Sequence, residues 1–132
     1  MKLAEKTAIV TGAGRNIGEE IAVLFAQEGA KVAVVDMDES RAKAVADRIQ
    51  GDGGEAAAVV CDVSDTGDIA KMVSSTVDAF GAIDILVNNV AISDNKDIFE
   101  ITEEEWRKTI DVTLSTPFYV TKQVANWMVD ND

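Results

Sequence analysis

The chain has 132 residues, 47% of them apolar and 27% charged, a composition that sustains one globular domain with a core of its own. Its 24 acidic residues outnumber 12 basic ones, and the net charge of −12 argues against nucleic acid or an anionic membrane as partner, since both select a basic face. A single cysteine, Cys61, excludes an internal disulfide, the lack of histidine excludes a Cys/His zinc site, and the opening MKLAEKTAIV has no secretory apolar core, so the expected compartment is the cytoplasm, with no metal and no membrane span.

In chain order, Thr7 to Val10 (TAIV) reads as a strand, followed by the glycine-rich stretch TGAGRNIG, Thr11 to Gly18. Ile17, Ile21, Leu24 and Phe25 then mark one face of a helix. Lys31 to Val35 reads as a second strand, and Ala42, Val45, Ala46 and Ile49 as the apolar face of a second helix that GDGG terminates from Gly51. Ala56 to Val60 is a third strand. Ile69, Met72, Val73, Thr76, Val77 and Phe80 repeat at helical spacing, and Ile83 to Val87 (IDILV) is a fourth strand. A loop leads to one long helix from about Thr102 to Val129, with the acidic first turn TEEE and Pro117 within it.

Short, continuous apolar strands are buried on both faces, and their alternation with helices predicts an α/β doubly wound parallel sheet. Such sheets bind ligands at the carboxyl ends of their strands. Those ends are Thr11-Gly12, Asp36, Cys61-Asp62-Val63 and Asn88-Asn89. The first is a loop opening a helix, a place where backbone N–H groups and the helix dipole favour an anion. Its spacing is not G-x-G-x-x-G, because position 17 is isoleucine, and no G-K-[ST] follows to make a nucleoside-triphosphate loop. Asp36 ends the second strand about twenty residues on, where a carboxylate can accept both hydroxyls of an adenosine ribose and repel a 2′-phosphate. That combination favours NAD over NADP.

Together these residues resemble the short-chain dehydrogenase/reductase family: Thr11-Gly12-Ala13-Gly14-Arg15-Asn16-Ile17-Gly18 for T-G-x-x-x-G-x-G, Asp36, Asp62-Val63 after the third strand, and Asn88-Asn89-Val90-Ala91 for N-N-A-G. The resemblance runs from about Lys6 to the end. It implies a Rossmann dinucleotide-binding domain over residues 1–132 that is incomplete relative to the family, whose catalytic portion follows. It implies that Gly12, Arg15, Asn16, Ile17 and Gly18 line the pyrophosphate and ribose, that Asp36 holds the adenosine ribose, and that Asp62 and Val63 meet the adenine. Asn89, Val90 and Ala91 would approach the nicotinamide side. Arg15 is a position where NADP-using relatives often carry a base; the strand-end carboxylate outweighs it.

Three positions depart from the pattern. Asn16 replaces the middle glycine, and asparagine is the residue that best tolerates positive φ after glycine. Val90-Ala91 replaces Ala-Gly and adds bulk beside the cofactor. Thr113 stands at the family's active-site asparagine. Pro117, four residues on, has no N–H for the Thr113 carbonyl. That carbonyl is either kept free for a proton-relay water, as the resemblance implies, or Pro117 merely kinks a surface helix.

The family's serine and Tyr-x-x-x-Lys do not occur. Tyr119 and Lys122 are three apart, in the helix before the family's fifth strand, and read as structural. The resemblance therefore implies an NAD(P)-dependent oxidoreductase moving hydride between the nicotinamide and a small alcohol or carbonyl substrate, this chain carrying the cofactor-binding half and inactive alone. The alternative is a non-catalytic NAD-binding or interaction module. A sugar-nucleotide epimerase of the extended relatives fits less well, because their loop places glycine where Arg15 stands. The apolar edge IDILV invites pairing, so a homo-oligomer is expected. Trp106, Phe118, Val124 and Trp127 serve such an interface or face the sheet, and Ala91 to Ile98 border the site without naming a substrate.

Overall fold

The computed structural model describes residues 1–93 and 95–131, so Asp94, inside the segment expected to border the site, and Asp132 lie outside the described residues. Four strands, β1 (Thr7–Thr11), β2 (Lys31–Asp36), β3 (Glu55–Val60) and β4 (Ile85–Val87), form one sheet in the order β3-β2-β1-β4. Every pairing is parallel, with Thr7 opposite Lys31, Val10 opposite Val34 and opposite Val87, and Val34 opposite Ala58. All four carboxyl ends therefore meet at one edge, as the alternating pattern predicts. Helices α1 (Asn16–Gln27), α2 (Glu39–Gly51), α3 (Thr66–Phe80), α4 (Glu103–Ile110) and α5 (Thr116–Asp130) complete the fold.

Alternate residues of β1 and β2 feed two cores. Val10, Val32 and Val34 pack with Ala22 and Val23 of α1 and with Ala42, Val45, Ala46 and Ile49 of α2. Ile9, Ala33 and Val35 pack on the other face with Ile69 and Met72 of α3 and with Val120 and Val124 of α5. Each buried Ile or Val stabilises by about 1.5–3 kcal/mol relative to exposure. Burial on both faces holds for β1 and most of β2. It does not hold for β3, an edge strand buried only at Ala56 and Val59, nor for β4, which is half-buried throughout.

Other expectations are corrected. The expected apolar face of α1 is half right: Ile21 and Phe25 are half-buried against the first core, but Ile17 and Leu24 are 72% and 55% exposed, and Gly18, Ala22 and Val23 are the buried residues. The small residues let the helix lie close to the sheet, and the larger ones rim the contact. The fourth strand begins at Ile85, because Ile83 belongs to the preceding loop, although its side chain is buried in the second core. The single helix over 102–129 is two helices joined by a π-helical turn, Asp111–Ser115, in which the Thr116 N–H reaches the Asp111 carbonyl. Proline at position 117 has no N–H to give the Thr113 carbonyl, its α-helical acceptor, and the chain rewinds around the gap. Of the four residues open between interface and sheet, Val124 is buried and Trp127 half-buried against the second core, whereas Trp106 and Phe118 are exposed.

Asp84 sets the start of the β1–β4 pairing. Its carboxylate accepts from the Thr7 N–H at 2.8 Å and from Lys6 Nζ at 3.0 Å, and its own N–H donates to the Thr7 carbonyl at 2.9 Å. The Thr7 N–H, more than the lysine, holds this carboxyl below the ordinary aspartate range against a desolvation that raises it. Its contribution is therefore complete above the unfolded-state pKa and drains as pH falls through the lower folded value. Asp84→Ala is expected to destabilise by about 1–2 kcal/mol at neutral pH. The gap from the parent should narrow below about pH 4 in urea titrations run across pH.

Candidate functional site

The loop from Thr11 to Gly18 carries two left-handed residues, Gly12 at φ 61° and Asn16 at φ 52°. Asparagine thus takes up the conformation expected of the middle glycine. Two of the glycines are also required by the protein's own packing. A Cβ on Gly18 would lie 2.2 Å from the Gly12 carbonyl oxygen and 2.6 Å from Asn89 Nδ2. One on Gly14 would lie 2.6 Å from both Asp36 Oδ2 and Arg41 Cβ. The space is filled by the protein's own atoms, and the loop is folded onto the strand ends. Arg15, which precedes α1, provides no side-chain cap, so the first-turn N–H groups of α1 are left to an external acceptor.

Asn89 joins this loop to the end of β4. Its Nδ2 donates to the carbonyls of Thr11 and Gly12, both at 3.1 Å, and its N–H donates to Thr11 Oγ1 at 3.0 Å. The Thr11 hydroxyl, almost fully buried, donates onward to the Val87 carbonyl at 3.3 Å. Both amide hydrogens of Asn89 and its backbone N–H are thereby committed, and only its Oδ1 and backbone carbonyl are left for a ligand. The sequence reading missed this role; the one signal for it was an amide residue at a parallel strand end beside a glycine loop. Asn88 donates to Thr121 Oγ1 at 2.9 Å and ties the same strand end to α5.

Asp36 is buried at the end of β2, 8% exposed. Its Oδ2 accepts from the Gly14 N–H and its Oδ1 from the Asp38 N–H, each at 3.0 Å. Asp62 is exposed after β3; the Ser64 hydroxyl and N–H bind its Oδ1 at 2.7 and 2.9 Å and hold the carboxyl below its ordinary range. Val63 turns its side chain into the second core, so only its backbone lines the edge. Burial pushes the neighbouring Cys61 thiol up to about 12 and keeps it unreactive.

Val90 is half-buried beneath Gly12, with Cγ2 3.2 Å from the position of a Gly12 Cβ, and Ala91 is exposed. The Thr113 hydroxyl donates to the Ile92 carbonyl at 3.1 Å and accepts from the Ile92 N–H at 3.2 Å. One side-chain oxygen in the π-helical turn thus clamps the loop after β4. Further along this loop, Lys96 pairs with Glu105, which also closes the capping box with Thr102 and is drawn down to about 2, chiefly by the lysine. Tyr119 lies outside this group, edge-on to Phe118 at 5.5 Å. A shallow depression of about 690 Å³ runs along α1 from Asn16 and Ile17 to Leu24, away from the strand ends, and carries no titratable pair suited to catalysis.

A family model described as short chain dehydrogenase matches residues 6–132. Galactitol 2-dehydrogenase of Agrobacterium fabrum is 44% identical across 98% of this chain and 49% of its own length. Sorbitol dehydrogenase of Cereibacter sphaeroides is 38% identical, with 98% and 49% covered. The solved structure of 7α-hydroxysteroid dehydrogenase complexed with NADH and 7-oxo glycochenodeoxycholic acid superposes with a TM-score of 0.92 at 35% identity, over 98% of this chain and 51% of that one. The chain spans about half the length of the curated relatives it matches.

Two sets of substitutions test the loop's construction. Asn89→Ala strands two backbone carbonyls and is expected to lower stability by about 1–3 kcal/mol, read from denaturation midpoints. Asn16→Gly should stay within about 1 kcal/mol of the parent, whereas Asn16→Val should lose about 1–2 kcal/mol or more, because only the latter resists the left-handed region.

Proposed function

The chain belongs to the short-chain dehydrogenase family, and we propose that it is the cofactor-binding half of an NAD-dependent oxidoreductase acting on a small alcohol or carbonyl substrate. The observation that carries this reading is the buried Asp36 carboxylate, placed at the end of β2 beside the glycine loop. There it accepts the hydroxyls of an adenosine ribose and opposes a 2′-phosphate. The uncapped start of α1, with Gly12, Arg15, Asn16, Ile17 and Gly18 around it, receives the pyrophosphate. Asp62 and the Val63 backbone border the adenine. Asn89 through Oδ1, with Val90 and Ala91, borders the nicotinamide-side ribose. When bound, NAD exchanges hydride with the substrate's carbonyl carbon; the residues of this half orient the cofactor for that transfer.

Thr113 contributes through its main chain, since its hydroxyl is committed to Ile92. The general acid–base groups of the family, a serine and Tyr-x-x-x-Lys, are not among these 132 residues. This half therefore binds cofactor without turning substrate over. Relatives that share this half act, by their names, on sugar alcohols and on a steroid, so the substrate is selected elsewhere. The short exposed β4 edge and the exposed Trp106 and Phe118 support a homo-oligomer.

In titration calorimetry, NADH is expected to bind more tightly than NADPH, and no carbonyl reduction should accompany it. Asp36→Ala should weaken NADH binding by about tenfold or more and narrow the preference. Absence of NADH binding by the parent chain would refute the assignment; binding with no turnover after the family's second half is supplied would favour a non-catalytic NAD-binding module.

A further inference from the structure

The Asp36 carboxylate is engaged before any ligand arrives. Oδ2 holds the Gly14 N–H and Oδ1 holds the Asp38 N–H, both at 3.0 Å, across a sequence gap of 22 residues in the first case. Asp38 is in turn the N-cap of α2, accepting from the Arg41 N–H at 3.1 Å and pairing with Arg41 Nε at 3.5 Å. Arg41 Cβ and Asp36 Oδ2 together close the space beside Gly14. One carboxylate therefore sits between the cap of α2 and the loop that opens α1, in a place with little water to compete for its lone pairs.

We propose that Asp36 is a positioning residue for the glycine loop, so that the group reading the ribose also sets the backbone that meets the pyrophosphate. This deepens the cofactor reading above and rests on it. Gly14 stands two residues before the left-handed Asn16, and its N–H links the loop to a charged acceptor at β2's end, next to the Ala13 N–H that donates to the Val35 carbonyl at 2.9 Å. Losing that acceptor frees a buried N–H and the turn it anchors. Replacing Asp36 to admit a 2′-phosphate then costs loop order as well as ribose contacts, and binding falls even for a nucleotide with no ribose hydroxyls to read.

The test compares the parent and Asp36→Ala without cofactor by amide hydrogen exchange, then with ADP and with 2′,3′-dideoxy-ADP. In the variant the Gly14 amide should exchange at least about tenfold faster while Val10 and Val34 in the sheet keep their protection, the size expected of one charge-assisted hydrogen bond. Both nucleotides should bind more weakly to the variant, ADP by the larger factor because it also loses its ribose contacts. Unchanged Gly14 exchange, or a loss confined to ADP, overturns the proposal. Should Asp36→Ala fail to fold, the parent decides: the Gly14 amide proton shift should follow the Asp36 carboxyl carbon through its acid titration, and a Gly14 shift that ignores it overturns the proposal. A parent chain with a protected Gly14 but no NADH binding defeats the cofactor assignment and leaves the loop anchor standing.

Discussion

Two amide hydrogens on Asn89 hold the strand-end carbonyls of Thr11 and Gly12, and the Thr11 hydroxyl carries the link back to Val87. Strands of a parallel sheet end with carbonyls that have no further ladder partner; here those of Thr11, Gly12 and Val87 are satisfied by side chains, and those of Val35 and Asp36 by the N–H groups of Ala13 and Cys61. With the strand ends closed in this way, the loop folds flat against them. Gly18 can then pass under the Gly12 carbonyl, and α1 starts with its N–H groups directed to the sheet edge.

The same economy of space shapes α1. A helix that lies close to β1 and β2 needs small residues where it touches, and Gly18 and Ala22 provide them. Ile17 and Leu24 are left outside, along the open depression on the helix's outer face. Hydrophobicity alone ranks Ile and Leu as core residues, so a search for the largest apolar stripe selects four residues of which only Ile21 and Phe25 meet the core. Helices α2 and α3 pack with larger residues and match their stripes, from Ala42 to Ile49 and from Ile69 to Thr76.

The carboxyl edge gathers charge as well as shape. Asp36, Asp38, Asp62 and Asp65 lie at strand ends or helix starts, and Asp38 and Asp65 cap α2 and α3 through the N–H groups of Arg41 and Asp68. Hydrogen bonds from Ser40 and Ser64 hold Asp38 and Asp62 below the ordinary carboxylate range, so these groups stay ionised near neutrality. An edge with ionised carboxylates around one uncapped helix start disfavours additional negative charge beside those carboxylates.

By itself the sequence determined the parallel α/β architecture, the one edge at which the strands' carboxyl ends meet, and the residues gathered there, because strand periodicity, helix stripes and the glycine loop are local patterns whose spacing survives without a partner. The left-handed Asn16 was also legible, since conformational tolerance belongs to the residue. Tertiary structure decided the rest. Whether Asn89 faces a ligand or its neighbouring loop, whether Thr113 offers a hydroxyl or clamps Ile92, and which face of α1 is buried each depend on what lies across a gap of about 21 to 78 residues. A hydrogen bond or packing contact at that range is set by the joint position of two elements, and no periodicity in either one encodes it.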